Sequence, residues 1–565
     1  MSGTRIKEKR NRMTIVKRTL MITGLLTFMS IGLISFTNPG KRYFEIAKNL
    51  DIFATLFKEV NTLYVDEINP NKVIKVGIDA MLRSLDPYTN YIPEDDIEDF
   101  RTQSTGQYGG IGAVTSTLDG KIKVVMVMEG YSAQKNGLKI GDEVIRINDV
   151  EVHNLTREET SELMKGQADT PVSLTVKRYG MKEPLILNFK REKITVDNVP
   201  YFGMVAEDVG YVKLTEFKMQ AGKEVKNAVT ELKKQGAEKV ILDLRGNPGG
   251  LLIEAVNIVN IFVPKGKEVV STKGKVTENN AVYKTLNAPV DTEIPLAVLI
   301  NSASASASEI VAGTIQDYDR GLVVGQKSFG KGLVQITRPL SYNSQLKVTT
   351  AKYYTPSGRC IQALDYSHRN PDGSVGKVPD SLKREFKTVN NRSVFDGGGV
   401  DPDVLVEKET LASIAHSLYV KGHIFDYATK YFYEHPDKAD LKNIELTPAE
   451  YEDFKEWLKD KDYSYTTSVE RNLDRLMERA KEEKYYEKIK EQLYSLDATV
   501  IKSKENDLDD FKGQIIKLLE EEIASRYHFE KGSIETSFDD DPDIIQAVDL
   551  LGNSQQYTRL LSTEN

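Results

Sequence analysis

The chain has 565 residues, a formal net charge of −8 at pH 7 and one cysteine, Cys360. The length allows about three to four domains, and the acidic balance excludes a typical nucleic-acid-binding protein, which would carry a basic domain. A single cysteine excludes an internal disulfide and every cysteine-based zinc cluster. The six histidines are scattered without a His-Glu-x-x-His pair, so we predict no metal site and no cofactor.

Residues 1–40 predict a membrane anchor. Basic residues crowd positions 5–18 and precede an uncharged apolar stretch at residues 19–37. About twenty such residues cross a bilayer, and a basic flank stays in the cytoplasm. No Ala-x-Ala cleavage site follows, which favours an uncleaved anchor over a signal peptide. We therefore expect an inner-membrane anchor with the rest of the chain on the periplasmic or other extracytoplasmic side.

Residues 41–99 predict an N-terminal helical region. Its apolar residues recur at helical spacing, which is typical of a core face. The same pattern fits a dimerisation arm, so the sequence does not decide between a monomer and a homo-oligomer. The residues in question are Ile52, Leu56, Val60 and Leu63 in a first segment, and Val73, Ile78, Met81 and Leu82 in a second.

Residues 100–192 resemble a PDZ domain. A Gly-Gly-Ile-Gly turn at 109–112 leads into a strand, and residues 138–148 are expected to form the central strand. Residues 156–165 predict a helix that borders the peptide-binding groove. Backbone N–H groups of such a turn can hold a terminal carboxylate while the peptide adds as a strand. The residues that the resemblance assigns to peptide binding are Gly109, Gly110, Ile111 and Gly112.

Strands and helices alternate over residues 193–409, which predicts a layered α/β domain. Ser306 lies in the run N-S-A-S-A-S-A-S-E (301–309), after an apolar strand and before a helical pattern. A helix N-terminus offers free N–H groups that can stabilise an oxyanion, so a serine there is a candidate nucleophile. By composition alone Ser302, Ser304 and Ser308 are equally eligible.

Lys331 lies between glycines in S-F-G-K-G (328–332). Its neighbours are small or apolar, and such a dry setting lowers the pKa of a lysine from ~10.4 towards values at which it can act as a base. Ser328 and Lys331 also form the Ser-x-x-Lys pair of penicillin-recognising enzymes. The companion Ser-Asp-Asn and Lys-Thr-Gly motifs are absent, and the glycines disfavour the helix that this alternative needs.

Residues 410–565 predict a charged helical extension whose role the sequence does not indicate. Alternating charge on helices is typical of a solvated face. The acidic cluster D-D-D-P-D (539–543) lacks the glycine and glutamate spacing of a calcium-binding EF-hand. We expect it to cap a helix that begins near Ile544.

These motifs together resemble the carboxy-terminal processing peptidases, the tail-specific serine proteases of family S41. The resemblance covers roughly residues 45–410 and adds D-L-R-G-N-P-G-G (243–250), Y-Y-T-P-S-G-R (353–359) and G-G-V-D-P-D (398–403). It implies that Ser306 is the nucleophile, Lys331 its base and Gln335 the residue that orients the lysine. It also places the oxyanion hole at the backbone of Ala307 and of Gly249 and Gly250.

The fold implied is a multidomain α/β protein. It combines N-terminal helices, a PDZ domain (100–192) inserted into a crotonase-like ββα-spiral catalytic domain (193–409), and the helical extension (410–565). The implied activity is that of a serine endopeptidase acting on proteins with exposed carboxy-terminal tails, which the PDZ domain recognises. A non-enzymatic PDZ scaffold on the same fold is the alternative, and the presence of both Ser306 and Lys331 argues against it.

Overall fold

The computed structural model describes residues 39–370, 372–440 and 444–562. The predicted membrane anchor at residues 19–37 lies outside the described residues. Of the helices that are described, none is long and apolar enough to span a bilayer. The chain divides into two compact units, Met1–Ser84 and Leu85–Asn565.

The first unit contains the two helices that the apolar spacing predicts. The side chain of Asn69 caps the second helix by accepting the Lys72 N–H at 3.2 Å. The stripe residues Leu56 and Leu63 are exposed and form no core face. The helices are α1 (Pro39–Leu63) and α2 (Pro70–Arg83).

The second unit begins with a short strand and a helix, followed by the PDZ-like module. The elements are β1 (Asn90–Ile92), α3 (Ile97–Thr105), β2 (Gln107–Gly110), β3 (Ala113–Leu118), β4 (Lys121–Val127), α4 (Ser132–Lys135), β5 (Glu143–Ile147), β6 (Val150–Glu151), α5 (Arg157–Met164), β7 (Pro171–Lys177), β8 (Leu185–Lys190) and β9 (Glu192–Thr195). An antiparallel sheet runs in the order β3-β4-β5-β7-β8, with β6 on β5, and β2 pairs with β9. Strand β5 begins at Glu143 and not at Leu138, because Asp142 accepts the Lys139 N–H at 2.8 Å and closes a turn there.

Two larger sheets and smaller two-stranded sheets form the α/β domain. Its elements are β10 (Tyr201–Ala206), β11 (Val209–Lys213), α6 (Ala221–Lys234), β12 (Lys239–Asp243), α7 (Leu252–Phe262), β13 (Glu268–Gly274), β14 (Ala281–Lys284), β15 (Leu296–Ile300), α8 (Ala307–Asp317), β16 (Leu322–Gly325), β17 (Leu333–Pro339), β18 (Gln345–Tyr354), β19 (Leu364–Arg369), β20 (Val375–Lys377), β21 (Glu385–Lys387), β22 (Ser393–Phe395) and β23 (Val404–Leu405).

The central sheet has the order β10-β11-β12-β15-β16-β23, and all pairs after β10-β11 are parallel. A second sheet runs β1-β18-β13-β14, with β17 paired to β18. The two-stranded sheets are β19-β20 and β21-β22. Because parallel strands end at one edge of a sheet, the loops after β12, β15 and β16 meet there.

The described residues after 410 are mainly helical, as the sequence predicts. The helices are α9 (Ser413–Val420), α10 (His423–Glu434), α11 (Pro448–Leu458), α12 (Ser468–Glu482), α13 (Tyr486–Ser503), α14 (Asp507–Asp510), α15 (Lys512–Thr536), α16 (Pro542–Gly552) and α17 (Ser554–Leu560). Helix α15 is interrupted at His528 and Phe529, where the backbone leaves helical geometry.

The central sheet is buried on both faces, which is usual for parallel strands. Val240 and Leu242 of β12 face the core that helices α6, α7 and α8 share. Ile241 between them faces the opposite side, where Ile544 and Leu550 of α16 pack against it. The C-terminal extension therefore supplies one of the layers of the α/β domain.

The extension also completes the PDZ-like module. Phe425 of α10 belongs to the hydrophobic core of that module, and Lys123 of β4 pairs with Asp426 at 2.5 Å. A methyl group on Gly141 would lie 2.5 Å from Thr429, so the two parts are in direct contact at this glycine.

Candidate active site

A cleft of about 520 Å³ lies at the edge where the parallel strands end. Its walls come from the loops after β12, β15 and β16 and from β17 and β18. The sequence-predicted residues that line it are Gly249, Gly250, Ser306, Ala307, Lys331 and Gln335. The structure thus brings the whole predicted catalytic set to one place.

Ser306 has the backbone of a strained turn, with φ 57° and ψ −113°. A positive φ is costly for a residue with a Cβ and is concentrated at functional sites. The residue ends the turn after β15 and immediately precedes α8, so its half-buried side chain lines the cleft.

The other serines of the run have different positions. Ser304 and Ser308 are buried, and their hydroxyls donate to the carbonyl oxygens of Leu244 (2.8 Å) and Asn247 (2.9 Å). Ser302 is exposed and lies outside the cleft lining. Of the four serines of the run, Ser306 is therefore the one that lines the cleft, a distinction that composition did not make.

Lys331 is half-buried in the cleft, and its Nζ lies 4.2 Å from the ring centre of Tyr88. Burial lowers the pKa of Lys331 to about 8, with Lys347 acting in the same direction and Glu309 and Asp86 opposing it. The glycine before it is required, because Gly330 has φ +89° and an added methyl group would lie 2.4 Å from Ala363 Cβ.

The carboxylate of Glu309 ties the serine loop to the lysine loop. Its Oε2 accepts the backbone N–H groups of Ser306 (2.8 Å) and Lys331 (2.9 Å), and its Oε1 accepts the N–H of Gly330 (2.7 Å) and the hydroxyl of Ser328 (2.6 Å). The side chain is fully buried. Burial raises the pKa of Glu309 to about 7, against these four hydrogen bonds, which favour the ionised form.

Ser328 is a structural residue. Besides donating to Glu309, its buried hydroxyl accepts the Val400 N–H at 2.7 Å. It does not line the cleft, which removes the geometric basis for the Ser-x-x-Lys alternative.

Tyr353 forms a second bridge between the two loops. Its buried hydroxyl lies within hydrogen-bonding distance of the carbonyl oxygens of Ser306 and Lys331. Sequence reasoning did not assign a role in the site to Tyr353, Glu309 or Tyr88. Only Glu309 carries a local signal, because it stands three residues after Ser306 at the start of a helix.

The predicted oxyanion hole requires one correction. The N–H of Gly249 donates to Asn247 Oδ1 at 2.9 Å, so Gly249 is not an available donor. The N–H groups of Gly250 and Ala307 have no hydrogen-bond acceptor within the part of the chain that the structure describes. Gly249 instead allows close packing, because a methyl group there would lie 2.8 Å from Ser306 Cβ.

Gln335 lies in the cleft without the predicted contact to Lys331. Its Nε2 donates to Thr349 Oγ1 at 3.1 Å, and none of the side-chain hydrogen bonds found in the described residues joins it to the lysine. The ring of Tyr88, and not Gln335, flanks the Lys331 ammonium group.

The PDZ turn also differs from the prediction in one respect. The side chain of Ile111 is only 1% exposed and packs in the core of the module, so only its backbone can face a peptide. Gly109 and Gly112 are required for close packing, since added methyl groups would lie 1.9 Å from the Gly166 oxygen and 2.6 Å from Tyr131 Cβ.

Comparison with known proteins shows which families and proteins this chain resembles. Residues 208–368 match peptidase family S41, residues 109–188 match the PDZ domain, and residues 414–551 match the C-terminal helical domain of probable PDZ-proteases. A carboxy-terminal-processing protease of Bartonella bacilliformis is 37% identical over 335 residues, which cover 59% of this chain and 76% of that protein. The chain belongs to peptidase family S41.

Two further matches cover most of the related chain. A probable CtpA-like serine protease of Staphylococcus aureus is 33% identical over 432 residues, covering 76% of this chain and 84% of that protein. The solved photosystem II D1 C-terminal processing protease is 26% identical, with 66% of this chain and 96% of that chain covered and a TM-score of 0.34. On the family matches and the two curated relatives, the protein is an S41 serine endopeptidase of the carboxy-terminal processing type, with a PDZ domain and a C-terminal helical domain.

The Glu309 contacts predict a large effect of its removal. Glu309→Ala leaves buried donors of both loops unpaired, at about 1–3 kcal/mol for each. We expect urea denaturation to show a loss of roughly 3 kcal/mol or more and a peptide assay to show no cleavage. The exposed Glu238→Ala is the matched control. Equal stability of the two variants would contradict the bridging role.

Proposed function

We propose that this S41 peptidase cleaves proteins near unstructured carboxy termini with a Ser306–Lys331 dyad. The observation that supports this most is the shared cleft, in which Glu309 and Tyr353 bridge the loops of the two residues. The activity needs no metal or cofactor in this proposal.

The reaction begins with neutral Lys331, which accepts the proton of the Ser306 hydroxyl as Oγ attacks the scissile carbonyl carbon. The N–H groups of Gly250 and Ala307 stabilise the resulting oxyanion. The intermediate then collapses, the Lys331 ammonium group gives its proton to the departing peptide nitrogen, and an acyl-enzyme remains on Ser306. Water, deprotonated by the same lysine, hydrolyses this ester and restores the serine.

The PDZ domain selects substrates by their free carboxy terminus. In this proposal the carboxylate is held by those N–H groups of residues 109–112 that the β2-β9 pairing does not use. Helix α5 lies beside β3, where a peptide strand would add. Charge-assisted hydrogen bonds to a terminal carboxylate would favour a tail over an internal segment.

The basic and apolar N-terminal sequence supports a membrane location. In this proposal residues 19–37 anchor the enzyme and leave its catalytic part on the extracytoplasmic side. Membrane fractionation tests this, because the full chain should pellet with membranes and a chain starting at residue 41 should not.

The S41 relationship also supports a crotonase-like ββα-spiral for the catalytic domain. The parallel strands β11, β12, β15 and β16 are neighbours in the sheet and follow one another in chain order with a helix between each pair, and β13 and β14 of the second sheet also lie between β12 and β15. An experimental structure with a different path of these units would refute this finer description.

The dyad predicts that Ser306→Ala and Lys331→Met each reduce peptide cleavage to background. The first removes the nucleophile and the second removes the base while keeping its apolar stem. Turnover of a labelled peptide and the melting temperature are measured for both. Ser302→Ala, in the same loop but exposed, should keep wild-type activity. Substantial turnover by folded Ser306→Ala would refute the assignment.

The pH dependence follows from the state of Lys331. Because the base must be neutral and burial sets its pKa at about 8, we expect kcat/KM to rise through an apparent pKa near 8. Lys347→Met removes a charge that lowers this pKa, so it should move the profile to higher pH. Lys352→Met changes an exposed lysine of the same strand and should leave the pH profile unchanged. A profile flat from pH 6 to 10 would exclude lysine as the base.

PDZ recognition of a free carboxylate predicts weaker binding of amidated peptides. Loss of charge-assisted hydrogen bonds should reduce the affinity roughly ten- to a hundredfold. The measurement uses full-length Ser306→Ala, which cannot cleave the peptide and keeps Phe425 in the PDZ core. Equal affinity of acid and amide would mean that residues 109–112 form only a structural turn.

A further inference from the structure

We propose that Asp541 and Asp543 of the C-terminal helical domain are positioning residues for the oxyanion turn, acting through Arg245. The turn, residues 246–250, directly follows this arginine. The inference rests on the proposed function, in which the Gly250 N–H stabilises the oxyanion.

The Arg245 guanidinium is shared between the catalytic and C-terminal domains. Its Nη1 donates to both oxygens of Asp541 at 2.8 Å and to Asp543 Oδ2 at 2.9 Å. Its Nε and Nη2 donate to Asp243 at 3.0 and 2.7 Å. The side chain is 13% exposed, so these charged hydrogen bonds are little screened by solvent.

The turn is held at separate points. Asn247 anchors its middle, with Nδ2 donating to the Leu214 oxygen and Oδ1 accepting the Gly249 N–H. Arg245 anchors its start. Backbone contacts hold the turn as well, because the Gly246 N–H donates to Asn301 Oδ1 at 3.0 Å and the Leu251 N–H donates to the Phe217 oxygen at 2.8 Å. The Arg245 ion pairs add the link between the start of the turn and the C-terminal domain.

The acidic pair is itself fixed in place. Asp541 caps α16 by accepting the N–H groups of Asp543 and Ile544, and Ile544 and Leu550 of that helix pack against the central sheet. Asp543 Oδ1 also accepts Nε2 of Gln326 at 3.3 Å. The start of α16 therefore contacts both Arg245, which precedes the oxyanion turn, and the first residue of the loop that carries Lys331.

The sharpest variant is Asp541→Asn. Asparagine caps a helix as well as aspartate does, so α16 keeps its N-cap while Arg245 loses a charged partner. Asp549→Asn changes an exposed residue of the same helix and is the matched control. Asp543→Asn leaves the cap residue unchanged and repeats the test if Asp541→Asn does not fold.

We expect kcat to fall roughly tenfold in Asp541→Asn, and about a hundredfold in the double variant with Asp543→Asn, which is the lower end of the range for loss of an oxyanion donor. KM and carboxylate-peptide affinity should change less than twofold. A peptide boronic acid, whose tetrahedral adduct mimics the intermediate, should bind more weakly by the same factor as kcat falls. Activity is expressed per folded molecule, taken from near-ultraviolet circular dichroism.

Unchanged kcat per folded molecule, or unchanged boronate affinity, would overturn the inference. The Ser306→Ala variant distinguishes a failure of the positioning role from a failure of the proposed function. If Ser306→Ala is inactive while the aspartate variants are normal, the dyad stands and only the positioning role is wrong.

Discussion

The active site depends on one buried carboxylate. Burying an ionised group is costly unless it forms enough hydrogen bonds. The carboxylate oxygens of Glu309 accept hydrogen bonds from donors in both the serine loop and the lysine loop. None of its four donors is a cation. This matters because a direct ion pair with Lys331 would hold the lysine in its charged form and remove the base. Glu309 thus fixes the lysine through its backbone, and within the described residues it forms no ion pair with the Lys331 amine.

Lys331 balances opposing influences from its surroundings. Burial and the neighbouring Lys347 favour the neutral amine, whereas Glu309 and Asp86 favour the ammonium ion. The Tyr88 ring also favours the ammonium ion through its negative face. Tyr88 reaches the site because β1, two residues further on, pairs with β18. A residue that precedes the PDZ domain therefore contacts the base.

Local patterns in the sequence predict the parts of this protein that local chemistry determines. Apolar runs locate β11, β12 and β15, and small residues between a strand and a helix locate Ser306. Long-range contacts escape such patterns. The sequence around Tyr88 does not indicate that it contacts the base Lys331. In the same way, the sequence does not show that Asp541 contacts Arg245 or that Phe425 packs in the PDZ core. A motif also identifies a loop without showing the state of each group in it. The motif around Gly249 does not show that its N–H group is already bonded, and the motif around Ile111 does not show that its side chain is buried.

The contribution of Phe425 to the PDZ core bears on how the chain matures. Lys123 and Asp426, which pair at the same interface, are 303 positions apart. The module therefore cannot complete its core until most of the polypeptide has emerged from the ribosome, and α16 reaches the central sheet later still. Contacts of such long sequence separation form slowly. A nascent chain of this protease accordingly contains Ser306 and Lys331 well before the surfaces that support them exist, so peptide-cleaving capacity is expected only when synthesis is nearly finished.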